Sequence, residues 1–225
     1  MTALVLALYA EGRTDERFLP IIIQRTAEDI LLRRGRRTID VLEPIPINGD
    51  IDHQVERRKD RIVEAARRAL GFHVLIVHAD ADHPTPERAL NERIMPGILA
   101  AARKDNTCRL LVPLVPVRMT EAWMLADPQA LSQVIGTNLT AQDLGLPERP
   151  HQVESEPQPR QRLREAIRRA RAQYPRRRRR LDLGELYEPL ARQIRLERLR
   201  GVPAYQRFVT DLTKALHELG FIEPQ

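Results

Sequence analysis

The feature that most constrains this chain is a regular alternation over its first part: short apolar runs separated by longer stretches of helical periodicity. Leu4 to Tyr9 is a continuous apolar run of the kind that a strand buried on both faces requires. From Asp15 to about Arg34, residues Phe18, Leu19, Ile22, Ile23, Ala27, Ile30 and Leu31 recur at helical spacing, with Thr14 as N-cap and Gly35 as stop. Thr38 to Ile47 reads as a second strand. Asp52 to Leu70 reads as an amphipathic helix, with Val55, Ile62, Val63, Ala66 and Leu70 on its apolar face. His73–Ala79 is the third strand, Pro86–Lys104 the third helix and Arg109–Val117 the fourth strand. Pro113 and Pro116 predict an edge position or a bulge for that last strand, because proline cannot donate to a ladder. Strands that alternate with helices build an α/β unit: a mostly parallel sheet of about four strands flanked by helices.

The pattern changes after "EAWMLADPQAL". Thr137 to Pro159 is rich in Pro, Gly, Glu and Gln and reads as a connection. Helical stretches follow at Arg160–Tyr174, Glu185–Leu199 and Ala204–Leu219. The expected organisation is therefore an α/β unit over 1–136 and a loop with a helical extension over 137–225, without repeats. A length of 225 residues allows one good core with a small appendage, and 42% hydrophobic with 30% charged residues excludes a disordered chain. The apolar N-terminal run is too short to span a membrane and lacks the features of a signal peptide. A single cysteine, Cys108, excludes an internal disulfide and any Cys-rich zinc site, and is expected to be a buried small hydrophobe in a cytoplasmic protein.

Two apolar strands end in acids. Glu11 follows the first, and in "FHVLIVHADADHP" Asp80 and Asp82 follow the third. Functional residues of an open parallel sheet gather at the carboxyl ends of its strands, so these acids become neighbours if the two strands are adjacent. Asp80 and Asp82 point the same way if the strand persists, and Asp15 lies one helical turn beyond Glu11. Clustered carboxylates repel unless a cation neutralises them, and a hard divalent ion (Mg²⁺ or Mn²⁺, one or two of them) suits all-oxygen ligands and phosphate-ester substrates. An aspartate in such a place also caps helices or shapes turns, which is the alternative for Asp82 before "HPTPER". His78 is expected beside the site and His83 in a turn, since no further His/Cys pair stands at zinc spacing. Phosphate-loop and dinucleotide glycine motifs are absent.

Taken together, "ALYAEGRTDERFL", "VLIVHADAD" and "VPVRMTEAWMLADPQAL" resemble the Toprim (topoisomerase–primase) superfamily. Within it the chain is similar to small standalone bacterial Toprim-like proteins related to the nuclease domains of overcoming-lysogenization-defect (OLD) proteins. The glutamate after the first strand and the D-x-D after the third are matched by Glu11, Asp80 and Asp82. The resemblance implies a Mg²⁺-dependent phosphoryl-transfer centre and recruits Asp15 as a ligand. Glu121, in "TEAW", is the candidate for a further ligand or site-shaping acid, the alternative being a charge at a helix start. Trp123 is expected to be a core anchor.

The charge balance is +6, but Lys59, Lys104 and Lys214 are the lysines among 37 basic residues, so the excess is arginine. Much of it is local. Arg160, Arg162, Arg164, Arg168, Arg169 and Arg171 lead into Arg176, Arg177, Arg178, Arg179 and Arg180 in "YPRRRRR", a surface suited to phosphates. The expectation is a metal-dependent nuclease on DNA or RNA in which Glu11, Asp80 and Asp82 are catalytic and Glu11 also serves as general base. The alternative is a catalytically weak regulatory or binding subunit on the Toprim scaffold, and a weaker third is a phosphatase or nucleotidyl-transfer enzyme. A partner ATPase and a role in phage defence are implied by resemblance alone, and an oligomer is compatible with it.

Overall fold

A computed structural model describes residues 3–48, 51, 55, 57–172, 174–175 and 180–223. Strands β1 (Ala3–Leu4) and β2 (Leu6–Tyr9) lead into helix α1 (Asp15–Arg34), followed by β3 (Asp40–Val41), β4 (Ile45–Pro46), α2 (Arg58–Arg68) and β5 (Val74–His78). A π-helix at Ala89–Ile94 runs into α3 (Met95–Ala101), and β6 (Leu111–Leu114) completes the sheet. Its order is β4-β2-β5-β6, every pair parallel, with β1 and β3 forming a separate parallel pair. The expected α/β fold, with a parallel sheet of four strands flanked by helices, is thus what the chain forms.

Strand periodicity divides the core. Leu6, Leu8, Val74 and Ile76 face a large apolar cluster with α1, whereas Ala7, Tyr9, Leu75 and Val77 face a smaller one with Ile62, Ala65, Ala66, Ile94 and Ala101. All of β2 and β5 is buried, as continuous apolar runs demand. On the smaller side α2 and α3 lie very close: a Cβ on Gly97 would sit 2.6 Å from Ile62 Cβ.

Several boundaries differ from expectation for local reasons. The first strand breaks at Val5, whose N–H donates to His73 Nδ1 at 3.1 Å. The second becomes two short pieces around Pro44, and Pro46 lacks the donor that a longer ladder needs. The helix expected from Asp52 is seen from Arg58, and the start predicted at Asp52 lies outside the described residues. The third helix changes from π to α geometry beside Pro96, which cannot donate to the preceding turn. Strand β6, carrying Pro113, is at the sheet edge as expected.

Beyond the sheet come α4 (Glu121–Met124), α5 (Pro128–Ile135), α6 (Ala141–Leu144), a 3₁₀ turn (Pro150–Ser155), α7 (Pro159–Arg171), a second 3₁₀ turn (Leu183–Glu185), α8 (Tyr187–Gln193), α9 (Leu196–Leu199) and α10 (Pro203–Glu218). The stretch 137–159, expected as a connection, therefore carries helical turns of its own. The larger core cluster joins Leu163, Leu190, Phe208 and Leu212 of these helices to Ile22, Ile76 and Trp123. Trp123 is fully buried, edge-on to Tyr205 at 5.3 Å, as befits a core anchor. Cys108 is buried, as expected.

Candidate metal centre

Three strand-to-helix junctions meet at the carboxyl edge of β2, β5 and β6. Pairing of Tyr9 with Val77 and of His78 with Leu114 brings the three exits to one level. The first exit is pinned by Asn48, which donates to Ala10 O at 2.7 Å and accepts from Ala10 N at 2.9 Å. Glu11 then turns towards β5, and its Oε2 accepts from Asp80 N–H at 2.9 Å. The adjacency of Glu11 and Asp80 follows from that of their strands.

His78 and Asp80 share the register of Val74 and Ile76, the side on which α1 begins with Asp15. His78 is fully buried; Nε2 lies 3.3 Å from Asp80 Oδ1, and Nδ1 lies 3.9 Å from Asp15 Oδ2. Asp80 Oδ1 also accepts from Thr120 N–H at 3.0 Å. One ligand atom from each of Asp15, His78 and Asp80 falls within 4.8 Å of the others.

The electrostatics of this group are unbalanced. Burial pushes the Asp15 pKa up, His78 pulls it down, and the nearby charges of Asp80 and Glu121 push it up again, leaving it above the ordinary carboxylate value. For His78, burial disfavours the imidazolium, but the Asp80 hydrogen bond and the charges of Asp15 and Glu11 outweigh it and raise the pKa. One hydrogen bond opposes that: Glu11 N–H points at Nδ1 at 3.2 Å and needs it unprotonated. Among the described residues no Lys or Arg forms an ion pair with the Asp15 or Asp80 carboxylate.

Glu121 is only 1% exposed, at the start of α4. Its Oε1 accepts from Arg160 Nε at 2.6 Å and from Tyr187 O–H at 2.5 Å, so the helical extension reaches the centre through α7 and α8. Burial, then Glu121 itself, pushes the Tyr187 pKa far up, which keeps the phenol a donor. Glu121 is thus more than a charge at a helix start: it faces Asp15 electrostatically and is clamped from behind.

Asp82 does not join the group. Strand β5 ends at His78, Asp82 takes a left-handed backbone (φ 51°), and its side chain is 68% exposed. The side-by-side projection expected of Asp80 and Asp82 is therefore lost. Arg93, from the π-helix, donates Nη1 to Asp80 O at 2.8 Å and to Asp82 Oδ2 at 3.2 Å, while Nη2 pairs with Glu11 Oε1. His83 is exposed and bonds locally with Thr85, in keeping with a turn residue. Arg176 to Arg179 lie outside the described residues; Arg180 is exposed.

Sequence reasoning misses Arg93, Thr120, Arg160 and Tyr187 as members of the centre, and places His78 beside it without a role. His78 has a usable signal, since strand parity puts it on the α1 side with Asp80. The other four arrive through tertiary contacts that no local pattern marks.

The fold and site define an α/β protein with a buried carboxylate–histidine cluster at the carboxyl edge of its sheet. Residues 10–213 match the family model described as a domain of unknown function, DUF4276, and the chain belongs to that family. No curated protein and no solved structure matches it.

Proposed function

We propose that this protein is a divalent-metal-dependent nuclease that hydrolyses phosphodiester bonds, with its ion held at Asp15, His78 and Asp80. The observation that carries the reading is the meeting of those residues, Asp15 and His78 buried and Asp80 partly so, with no arginine paired to either carboxylate among the described residues, at the edge where parallel sheets place their chemistry. Two carboxylates and an imidazole fit a divalent ion, and the imidazole favours Mn²⁺ over Mg²⁺. A bound ion of this kind activates water and offsets charge on phosphate oxygens. Thr120 and His78 orient Asp80, and Arg160 and Tyr187 clamp Glu121, whose charge acts on Asp15 although it is not one of the three grouped residues. Glu11 lines the rim, its two oxygens accepting from Asp80 N–H and from Arg93.

A polymeric substrate is supported by α7. Arg160, Arg164 and Arg168 recur at one-turn spacing along it, all exposed, and Arg160 bonds to Glu121 beside the centre. A row of this kind follows a phosphate backbone without reading its bases. Arg180, also exposed, adds to the positive charge of this region.

Plasmid, single-stranded DNA and total RNA incubated with Mn²⁺ or Mg²⁺ test the proposal. Metal-dependent cutting by the wild type that is lost in Asp80→Ala and Glu11→Ala is the expected result. No cutting, with no Mn²⁺ binding by calorimetry, contradicts it. Mn²⁺ binding without cutting of any polymer would favour the regulatory subunit that acts with a partner ATPase.

A further inference from the structure

The carboxylates at the strand ends separate into two sets with different counter-charges. Asp15 and Asp80 Oδ1 flank the His78 ring, and among the described residues neither carboxylate pairs with a guanidinium. Glu11 Oε1 and Asp82 Oδ2 instead share Arg93, which also donates to the Asp80 carbonyl. A second ion at the strand ends would require Glu11 and Asp82 to turn towards it together. That place already holds a positive group bonded to three acceptors. A guanidinium keeps its charge at every accessible pH, and its planar fork suits such a divided role.

The local backbone fits the same division. Asp82 is held away from Asp80 by its left-handed conformation and by its N–H donating to Arg118 O at 3.0 Å. Arg93 projects from the π-helix that begins seven residues after Asp82, at Ala89, and π geometry of this sort recurs where a helix serves a site.

We propose that the centre takes one divalent ion, at Asp15, His78 and Asp80, and that Arg93 stands in the place of a second cation between Glu11 and Asp82. This rests on the metal-centre reading above. Arg93 neutralises Glu11 beside the bound ion and excludes a second ion from the Glu11–Asp82 pair. The centre is in this respect a hybrid, with one exchangeable charge and one covalently attached.

Titration of the metal-free full chain with Mn²⁺, followed by electron paramagnetic resonance of the free ion, tests this without reference to activity. The wild type and Arg93→Lys are expected to bind one Mn²⁺ per chain. Arg93→Ala, which leaves Glu11 and Asp82 uncompensated, is expected to bind two. Asp82→Ala should keep one ion with affinity changed by about threefold or less, the scale of an exposed ion pair. Two ions on the wild type overturn the proposal, as does a single ion on folded Arg93→Ala or a tenfold loss of affinity in Asp82→Ala. No ion on the wild type overturns the metal reading beneath it instead, so the two failures are distinct. If Arg93→Ala does not fold by circular dichroism, the wild-type stoichiometry and the Asp82→Ala affinity still decide the matter.

Discussion

Two buried aspartates in this protein have opposite surroundings. Asp127, the N-cap of α5, accepts from Ala130 N–H and from Arg195 through its backbone N–H, Nε and Nη2, the last two at 2.8 Å. Burial alone would push its pKa up, but the Arg195 hydrogen bonds and charge outweigh burial and hold it below the usual range. Asp15, at the start of α1, is nearly as buried, has no such partner, and has its pKa raised. A buried carboxylate met by an arginine is complete as it stands and belongs to the architecture. One met by another carboxylate and a histidine has no fixed counter-charge of this kind, which is the opening that the proposed ion would fill.

The largest effect that separates the two is on chemistry. Asp80→Ala is expected to lower cleavage by more than the roughly 100-fold typical of losing an outer partner of a metal, whereas Asp127→Ala should retain metal-dependent cutting in whatever fraction stays folded. Equal loss in both, measured on folded protein, would erase the distinction.

On stability the order reverses. Asp127→Ala strands the Arg195 guanidinium and should cost about 3 kcal/mol, the low end for a broken buried pair because Arg195 is half exposed. That corresponds to a fall in melting temperature of about 6–12 °C. The sign with pH follows from the lowered pKa: the stability from Asp127 is fully present above the ordinary carboxylate range near about 4 and is lost as pH falls through the depressed value. Urea unfolding should therefore show the gap between wild type and Asp127→Asn closing in acid.

Saturation with Mn²⁺ sharpens the comparison further. At 100 times the dissociation constant it should stabilise the wild type by about 2.7 kcal/mol, or about 5–10 °C by thermal scan. Asp15→Ala should abolish that shift and Asp127→Ala should keep it. Asp15 has a raised pKa, so its ionisation weakens the metal-free fold as pH rises above the ordinary carboxylate range, and the response to Mn²⁺ should grow over the same range. A shift of equal size in Asp15→Ala would locate the ion elsewhere.

The smallest expected effect concerns the surface of α7. The double change Arg164→Glu and Arg168→Glu should leave the melting temperature nearly unchanged. It should reduce the slope of log affinity for nucleic acid against log salt by about one for each phosphate no longer neutralised. An unaltered slope would remove α7 from the substrate path.

The sheet is legible because buried parallel strands are written as unbroken apolar runs, and Leu6–Tyr9 and Val74–His78 are such runs. Pro113 announces its edge through its missing donor. Once those strands are neighbours, the approach of Glu11 to Asp80 follows. Asp82 departs from expectation for a physical reason: backbone pairing with the chain after β6 continues through Ala79 and Ala81 and keeps Asp80 in register, but the left-handed backbone at Asp82 re-aims its side chain. Arg160 and Tyr187 are illegible in a different way. They lie 39 and 66 residues from Glu121, and only the packing of α7 and α8 onto the common core brings them there. His78 is legible in principle, since a buried histidine in register with Asp80 on the α1 side has no purely apolar role to play.

The most direct test is a crystal soaked in Mn²⁺ and measured at the manganese absorption edge. One anomalous peak within coordination distance, about 2.0–2.2 Å, of an Asp15 oxygen, an Asp80 oxygen and a His78 ring nitrogen is the predicted result. A peak confined to Glu11 and Asp82, or no peak at saturating Mn²⁺, would contradict the account.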